Sequence, residues 1–239
     1  MNQIIKDFFE KENRKCVQLE VLPNGVRYRL SRYKTFNVMH ERFIPLTLSQ
    51  IDILQQEVSE AQKTQFIFPD WYRDVLATTN GCNLFFDCLQ LDGEQTPTFW
   101  SEQEQRYVKT LLDRNDPNWM APYDLCFNGS IKYNNAARAR WLTIGSYMYD
   151  GTKVAWDYKF NNICAMYSLP SSISIKSWKK LREEDYEERI FARWDSFDAF
   201  FIQETERLRH VILKYGVDME KGFIYRDKTL PIGHKDYSE

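Results

Sequence analysis

Apolar and polar residues alternate along CVQLEVLPNGVRYRLS, residues 16 to 31, on both sides of Pro23-Asn24-Gly25. Strand side chains point to opposite faces in turn, and Asn-Gly accepts left-handed turn geometry, so this pattern predicts a β-hairpin. The period then changes. In TLSQIDILQQEVSEAQ (47 to 62), Leu48, Ile51, Leu54, Gln55, Val58 and Ala61 recur at helical spacing, and Thr47 or Ser49 is placed to cap the start. The next stretch, FPDWYRDVLATTNG (68 to 81), has Pro69 at a first turn, Asp70 at the positive end of the helix dipole, and Trp71, Val75 and Leu76 on one face. Gly81 suits the left-handed position that stops a helix, so φ > 0 is expected there. The run NLFFDCLQL that follows is apolar on both parities, which predicts one central strand covered on both faces and closed by Asp92-Gly93.

Residues 94 to 139 are less regular. Within them SEQEQRYVKTLLDRN (101 to 115) predicts a helix with Ser101 and Glu104 in capping-box spacing, then a loop at Pro117 and Pro122, then a short strand, YDLCFNG. From residue 140 onward, RWLTIGSYMY, TKVAWDYKF and ICAMYSL are separated by Asp150-Gly151 and Asn161-Asn162, the pattern of an antiparallel meander. A last helix is expected from Ser196 to Tyr215, with Phe197, Phe200, Phe201, Leu208, Val211 and Ile212 on one stripe and Gly216 as its stop. The tail, 217 to 239, is weakly patterned. These elements predict an α+β fold: a twisted, mainly antiparallel sheet with helices packed against it, extended or covered by the N-terminal hairpin. The organisation expected is an extension over 1 to 46, an α+β domain over 47 to 214 and a C-terminal tail over 215 to 239.

Composition narrows the picture. Hydrophobic residues at 43% and charged residues at 28% of 239 describe a globular chain able to bury a core, not a disordered one. A net charge of -2 lacks the field of a nucleic-acid binder, so no direct nucleic-acid partner is expected. No run approaches the roughly 18 apolar residues of a membrane span, and MNQIIKDFFEKENRK holds no apolar core of signal-peptide length, so a cytoplasmic location without membrane contact is expected. Cys16, Cys82, Cys88, Cys126 and Cys164 form no CxxC pair and read as buried free thiols.

Chemistry is sparse in the pattern. His40, His210 and His234 share no short spacing with a cysteine or with each other, and no phosphate loop, nucleophile elbow or dinucleotide fingerprint is present, so no catalytic metal and no cofactor are expected. Asp87, Asp150 and Asp157 lie in or beside strands, where paired carboxylates could do acid–base work. Asp150 is accounted for by its Asp-Gly turn, and Asp157 by pairing with a backbone or basic group. The strongest local charge feature is REEDYEER, 182 to 189. It reads either as a solvated face or as a docking surface for a basic partner. In the second reading Trp178 and Tyr186 are anchors, and Glu183, Glu184, Asp185, Glu187 and Glu188 steer the encounter.

The ordered set of pieces resembles the SUKH superfamily. The resemblance rests on the helix at 47 to 62; on FPDWYRDVLATTNG with Pro69, Asn80 and Gly81 and its following strand; on WLTIGSYMYDGTKVAWDY with Gly145, Asp150, Gly151 and Asp157; and on WDSFDAFFIQETERL with Ser196, Phe197, Phe200 and Phe201. It covers roughly residues 47 to 214, leaving out the first 46, and the stretch from 94 to 139 is longer than the family's usual connection. The resemblance implies an immunity-type protein that binds and neutralises a cognate toxin, such as a nuclease, by stoichiometric occlusion. Two rivals accompany it: a regulatory scaffold of the cell-wall-assembly type, and an enzyme with an unrecognised carboxylate site.

Overall fold

The structure is a computed structural model that describes residues 2–15, 18–22, 25–29, 38–62, 65–93, 98–101, 106–109, 140–147, 149–168, 180–216 and 226–237. Nine strands form one antiparallel sheet: β1 (Gln18–Leu22), β2 (Gly25–Arg29), β3 (Val38–Phe43), β4 (Cys82–Leu84), β5 (Leu89–Leu91), β8 (Trp141–Tyr147), β9 (Lys153–Asp157), β10 (Asn162–Met166) and β11 (Ile190–Trp194), lying side by side in that order. Strands β6 (Thr98–Ser101) and β7 (Arg106–Lys109) pair separately. The helices are α1 (Gln3–Asn13), α2 (Leu48–Gln62), α3 (Asp70–Leu76), α4 (Glu183–Glu187) and α5 (Phe197–Tyr215). The α+β architecture is the one expected, and the N-terminal hairpin extends the sheet by way of β3.

Strand alternation sorts the interior into two layers. Leu142, Ile144, Val154, Trp156, Ile163 and Ala165 point to the face covered by Ile5, Phe8 and Phe9 of α1, Ile51 and Leu54 of α2, Tyr72, Val75 and Leu76 of α3, and Phe197, Phe200, Phe201 and Leu208 of α5. Their sequence neighbours Trp141, Ala155 and Cys164 point the other way, where Tyr186 of α4 packs on them with Met166. Residues 5, 8, 9, 28 and 39 belong to the same core as residues 51 to 208, so the N-terminal extension shares the interior of the rest. The C-terminal segment also packs: Leu230 is fully buried, and Arg207 donates to the carbonyls of Lys228 and Thr229, both at 3.1 Å.

Local chemistry explains the element ends that the pattern foretold. Thr47 Oγ1 accepts the Gln50 N–H at 3.3 Å, and Ser196 Oγ accepts the Ala199 N–H at 3.1 Å, each satisfying an orphan donor of a helix start. Gly216 ends α5 at φ +73°. Gln55 sits in the apolar stripe of α2 because its Oε1 accepts the Phe68 N–H at 2.8 Å, whereas Leu48 of that stripe is exposed. The meander turns are as expected, with Gly151 at φ +75° and Asn161 at φ +49°.

Three expectations change. The run after Gly81 is two short strands, β4 and β5, joined by a turn in which Phe85, Phe86 and Asp87 all have positive φ, at 53°, 57° and 63°. Non-glycine residues resist that region; here His40 Nδ1 accepts the Phe85 N–H at 3.2 Å and the Met39 carbonyl accepts the Phe86 N–H at 2.9 Å, which holds the reversal in place. Of the helix expected over 101 to 115, Ser101 belongs to β6 and Arg106–Lys109 form β7, in line with the strand preference of TFWS and RYVK, and the other positions lie outside the described residues. The short strand YDLCFNG lies outside the described residues. Finally, α3 ends at Leu76 with Pro69 as its N-cap, so Gly81 is not the helix stop itself.

Gly81 does take φ +80°, and a Cβ there would lie 2.8 Å from the Leu91 carbonyl oxygen. Gly81→Ala is therefore expected to destabilise by about 1–2 kcal/mol for the left-handed backbone, with the clash added to it. Urea denaturation measures the loss; an unchanged midpoint would refute this geometry.

A buried ionic cluster ties α1 to the sheet and to α5. Glu12 is 2% exposed and pairs with His40 at 3.4 Å, with Lys15 at 3.2 Å and with Arg209. Because the Phe85 N–H donates to His40 Nδ1, the neutral ring carries its proton on Nε2, facing Glu12. Burial pushes the Glu12 carboxyl up, but His40, Arg209 and Lys15 outweigh it and hold it at about 2 instead of 4.5. Burial of His40 lowers its pKa below 6.5 despite Glu12. Both depressed values carry the same sign: the unfolded chain takes up protons first, so stability falls as pH drops below 6.5 and falls further between 4.5 and about 2. Glu12→Gln is expected to flatten the lower limb of a stability-against-pH profile and to deepen the limb that begins near pH 6.5, because Glu12 holds the His40 pKa up.

Candidate functional site

The acidic segment forms α4, a short helix set against the back of the sheet at the ends of β8, β9 and β11. Its centre is a buried carboxylate. Asp157, at the end of β9 and fully buried, accepts from Arg140 Nε to Oδ1 at 2.9 Å and from Arg140 Nη2 to Oδ2 at 2.7 Å. Arg193 Nη1 adds a contact to Oδ2 at 3.0 Å, and the Lys159 N–H donates to Oδ1 at 3.1 Å. Burial pushes the Asp157 carboxyl up, and the hydrogen bonds and charges of Arg140 and Arg193 more than offset this, so it stays ionised below the usual carboxylate range. Burial likewise lowers the Arg140 pKa, and Asp157, Glu187 and Glu183 raise it above the ordinary arginine value.

Two of the expected steering carboxylates, Glu183 and Glu187, close this network while their side chains stay 45% and 40% exposed. Glu187 Oε2 lies 2.7 Å from Arg140 Nη2, its other oxygen pairs with Arg193, and Glu183 Oε2 lies 3.4 Å from Arg140 Nη1. Asp185 accepts the Arg182 N–H at 2.7 Å at the start of α4. Glu184 and Glu188 are exposed. Tyr186, read from the sequence as an anchor for a partner, is fully buried, its ring centroid 5.5 Å from that of Trp141. The correction has a simple cause: one helical turn that turns carboxylates to two arginines must turn the residue between them into the sheet. Trp178 lies outside the described residues.

Beside this network two outward-facing aromatics stand on the β9–β10 turn. Phe160 is 55% exposed, yet its ring is held by Arg140 at 4.8 Å, Arg193 at 5.5 Å and Lys159 at 5.7 Å from its centroid. Tyr158 is 60% exposed and rests edge-on against Trp156, with centroids 5.6 Å apart. The sequence signal for this pair was present: a Tyr-Lys-Phe tip stands where turns favour small polar residues. Arg140 and Arg193 carried no signal, because nothing in spacing joins positions 140, 157 and 193.

The three candidate carboxylates are engaged separately. Asp157 is filled by the arginines. Asp150 accepts the Thr152 N–H at 2.8 Å and faces His234 Nε2 at 2.8 Å. Asp87 sits in the left-handed turn, where burial and Glu41 raise its pKa against Arg27. Cys82, Cys88 and Cys164 are buried free thiols, and burial raises Cys164 to about 12. Among the described residues no group of three or more His, Cys, Asp or Glu is placed to hold a metal ion, and no helix is long and apolar enough to cross a membrane. Comparison of the chain with protein-family models, with curated proteins and with solved structures finds no match.

Proposed function

We propose that the chain is a binding protein of the immunity type, acting in the cytoplasm, that recognises a cognate protein toxin and blocks it by stoichiometric occlusion. The observation that carries the reading is the surface around the β9–β10 turn. Phe160 and Tyr158 are more than half exposed but held in place by cation–π and aromatic contacts, so little rotamer freedom is lost when a partner covers them. Outward carboxylates stand beside them, Glu184 on α4 and Glu188 at the C-cap of that helix. Ordered aromatic anchors with a charged rim have the anatomy of a protein-binding surface, the rim setting encounter and the anchors setting residence time. The resemblance to SUKH immunity proteins supports the same reading.

The test uses the product of the gene adjacent to this one as the binding partner, measured by surface-immobilised kinetics. Phe160→Ala is expected to speed dissociation, and Glu184→Lys with Glu188→Lys to slow association several-fold at low salt, an effect that fades as salt rises and screening shortens to a Debye length of about 8 Å. A complex indifferent to both changes would remove this surface from the proposal. Absence of a binary complex would remove the immunity reading.

A further inference from the structure

The apolar face of the sheet runs on past the helices that cover it. Leu19 stands opposite Tyr28, Tyr28 opposite His40, and the row continues through Leu84, Leu89 and Tyr147. Val21 begins a parallel row, opposite Val26. By strand alternation Leu19 and Val21 therefore lie on the core face, where Tyr28 is 5% and His40 1% exposed. Yet Leu19 is 44% and Val21 80% exposed, because among the described residues β1 is the edge strand and no helix reaches over it. The other edge is treated differently. Beside β11 the chain lays its own C-terminal segment: a Cβ on Gly233 would come within 3.0 Å of the Phe191 carbonyl oxygen, and the Lys235 N–H donates to Tyr167 Oη at 2.8 Å.

We propose that β1 is the surface on which two copies of this chain pair, antiparallel, about a two-fold axis at Glu20, so that their sheets join. In that register Leu19 of one copy faces Val21 of the second, and Val21 faces Leu19, which continues both apolar rows across the axis. Any strand pairs with itself in this sense, since an antiparallel two-fold matches each edge donor to an acceptor; what singles out β1 is that its exposed side chains are also complementary to each other. The two Glu20 carboxylates meet on the opposite face, where like charges alone would repel. Each brings its counter-charge, Arg29, whose Nε lies 2.9 Å from Glu20 Oε2, while Arg27, the cross-strand neighbour of Glu20, is paired with Glu41 at 2.7 Å. A foreign strand would have to supply both the apolar pair and the tolerance for Glu20, whereas a second copy supplies them by symmetry. An exposed edge with apolar side chains and no lysine or proline is left unguarded against such pairing, and β1 reads Gln-Leu-Glu-Val-Leu. One strand pair buries less than the roughly 1,200 Å² of a tight interface, so association is expected in the micromolar range.

The experiment is sedimentation of the full chain over a hundredfold range of concentration, with the mass rising from 28.7 kDa toward twice that value. Val21→Lys and Leu19→Lys are each expected to weaken association at least tenfold without moving the thermal transition, since both sites are exposed. Leu213→Lys, on the 79%-exposed Leu213 of α5, is the control for general stickiness and should leave the dimer intact. A wild-type chain that stays at the monomer mass throughout overturns the proposal. So does a dimer that survives Val21→Lys, or one that Leu213→Lys disrupts equally. Unfolding on Lys substitution would show in the thermal transition, and Val21→Thr then gives the same reading with a smaller change.

Discussion

Arg140→Ala is expected to lower folding stability by about 3–5 kcal/mol, the range for removing one partner of a buried ion pair. Arg140 is 7% exposed and is the bidentate partner of a fully buried carboxylate, Asp157. Arg193 remains after the substitution but reaches only Oδ2, so Oδ1 keeps the Lys159 N–H alone. Glu187 and Glu183 lose their common cation at the same time, which loosens α4. The Arg140→Ala, Asp157→Ala double variant should lose less than the sum of the two single losses, and urea denaturation of the four proteins closes that cycle. Additive losses would show that Asp157 is satisfied without Arg140. The same pairing has a pH sign: with its folded pKa below the unfolded value, Asp157 stabilises above the usual carboxylate pKa, and that stability is lost as pH falls.

The second large effect concerns Tyr186. Tyr186→Ala removes a fully buried ring that packs on Trp141 with Cys164, Met166, Leu181 and Ile190, and truncation of a buried aromatic costs about 3–5 kcal/mol. Glu184→Lys, on the outward side of the same helix, is expected to stay within about 0.5 kcal/mol, as surface changes do. Thermal and urea denaturation of the two variants separate the roles cleanly. A Tyr186→Ala protein as stable as the wild type would return Tyr186 to the candidates for partner contact and unseat the placement of α4.

What could be read before folding was whatever depends on near neighbours. The pairing of β1 with β2, the Ser196 cap and Gly216 stop of α5, and the turns at Asp150-Gly151 and Asn161-Asn162 all stand where the pattern put them, with Gly25 as the first residue of β2 and Pro23 and Asn24 outside the described residues, because turn and cap chemistry is decided within a few residues. Helix α1 was missed although Ile5, Phe8 and Phe9 recur at helical spacing; the fourth residue of that stripe is Glu12, and a carboxylate does not look like a core residue until His40 and Arg209 are beside it.

The remaining features needed distant partners. The reversal at Phe85, Phe86 and Asp87 depends on His40, 45 positions away, without which an apolar run of both parities reads as one buried strand. The acidic helix looked like a surface because five carboxylates stand within six residues, but Arg140, just before β8, and Arg193 of β11 pair with Glu183 and Glu187 and leave Tyr186 buried between them. Sequence by itself therefore determined the α+β class, the meander and the final helix, since hydrophobic period and turn chemistry are local properties. Tertiary structure alone decided which charges are buried, which aromatics face solvent and which strand forms the sheet edge among the described residues, since each depends on groups brought together only when the strands pair.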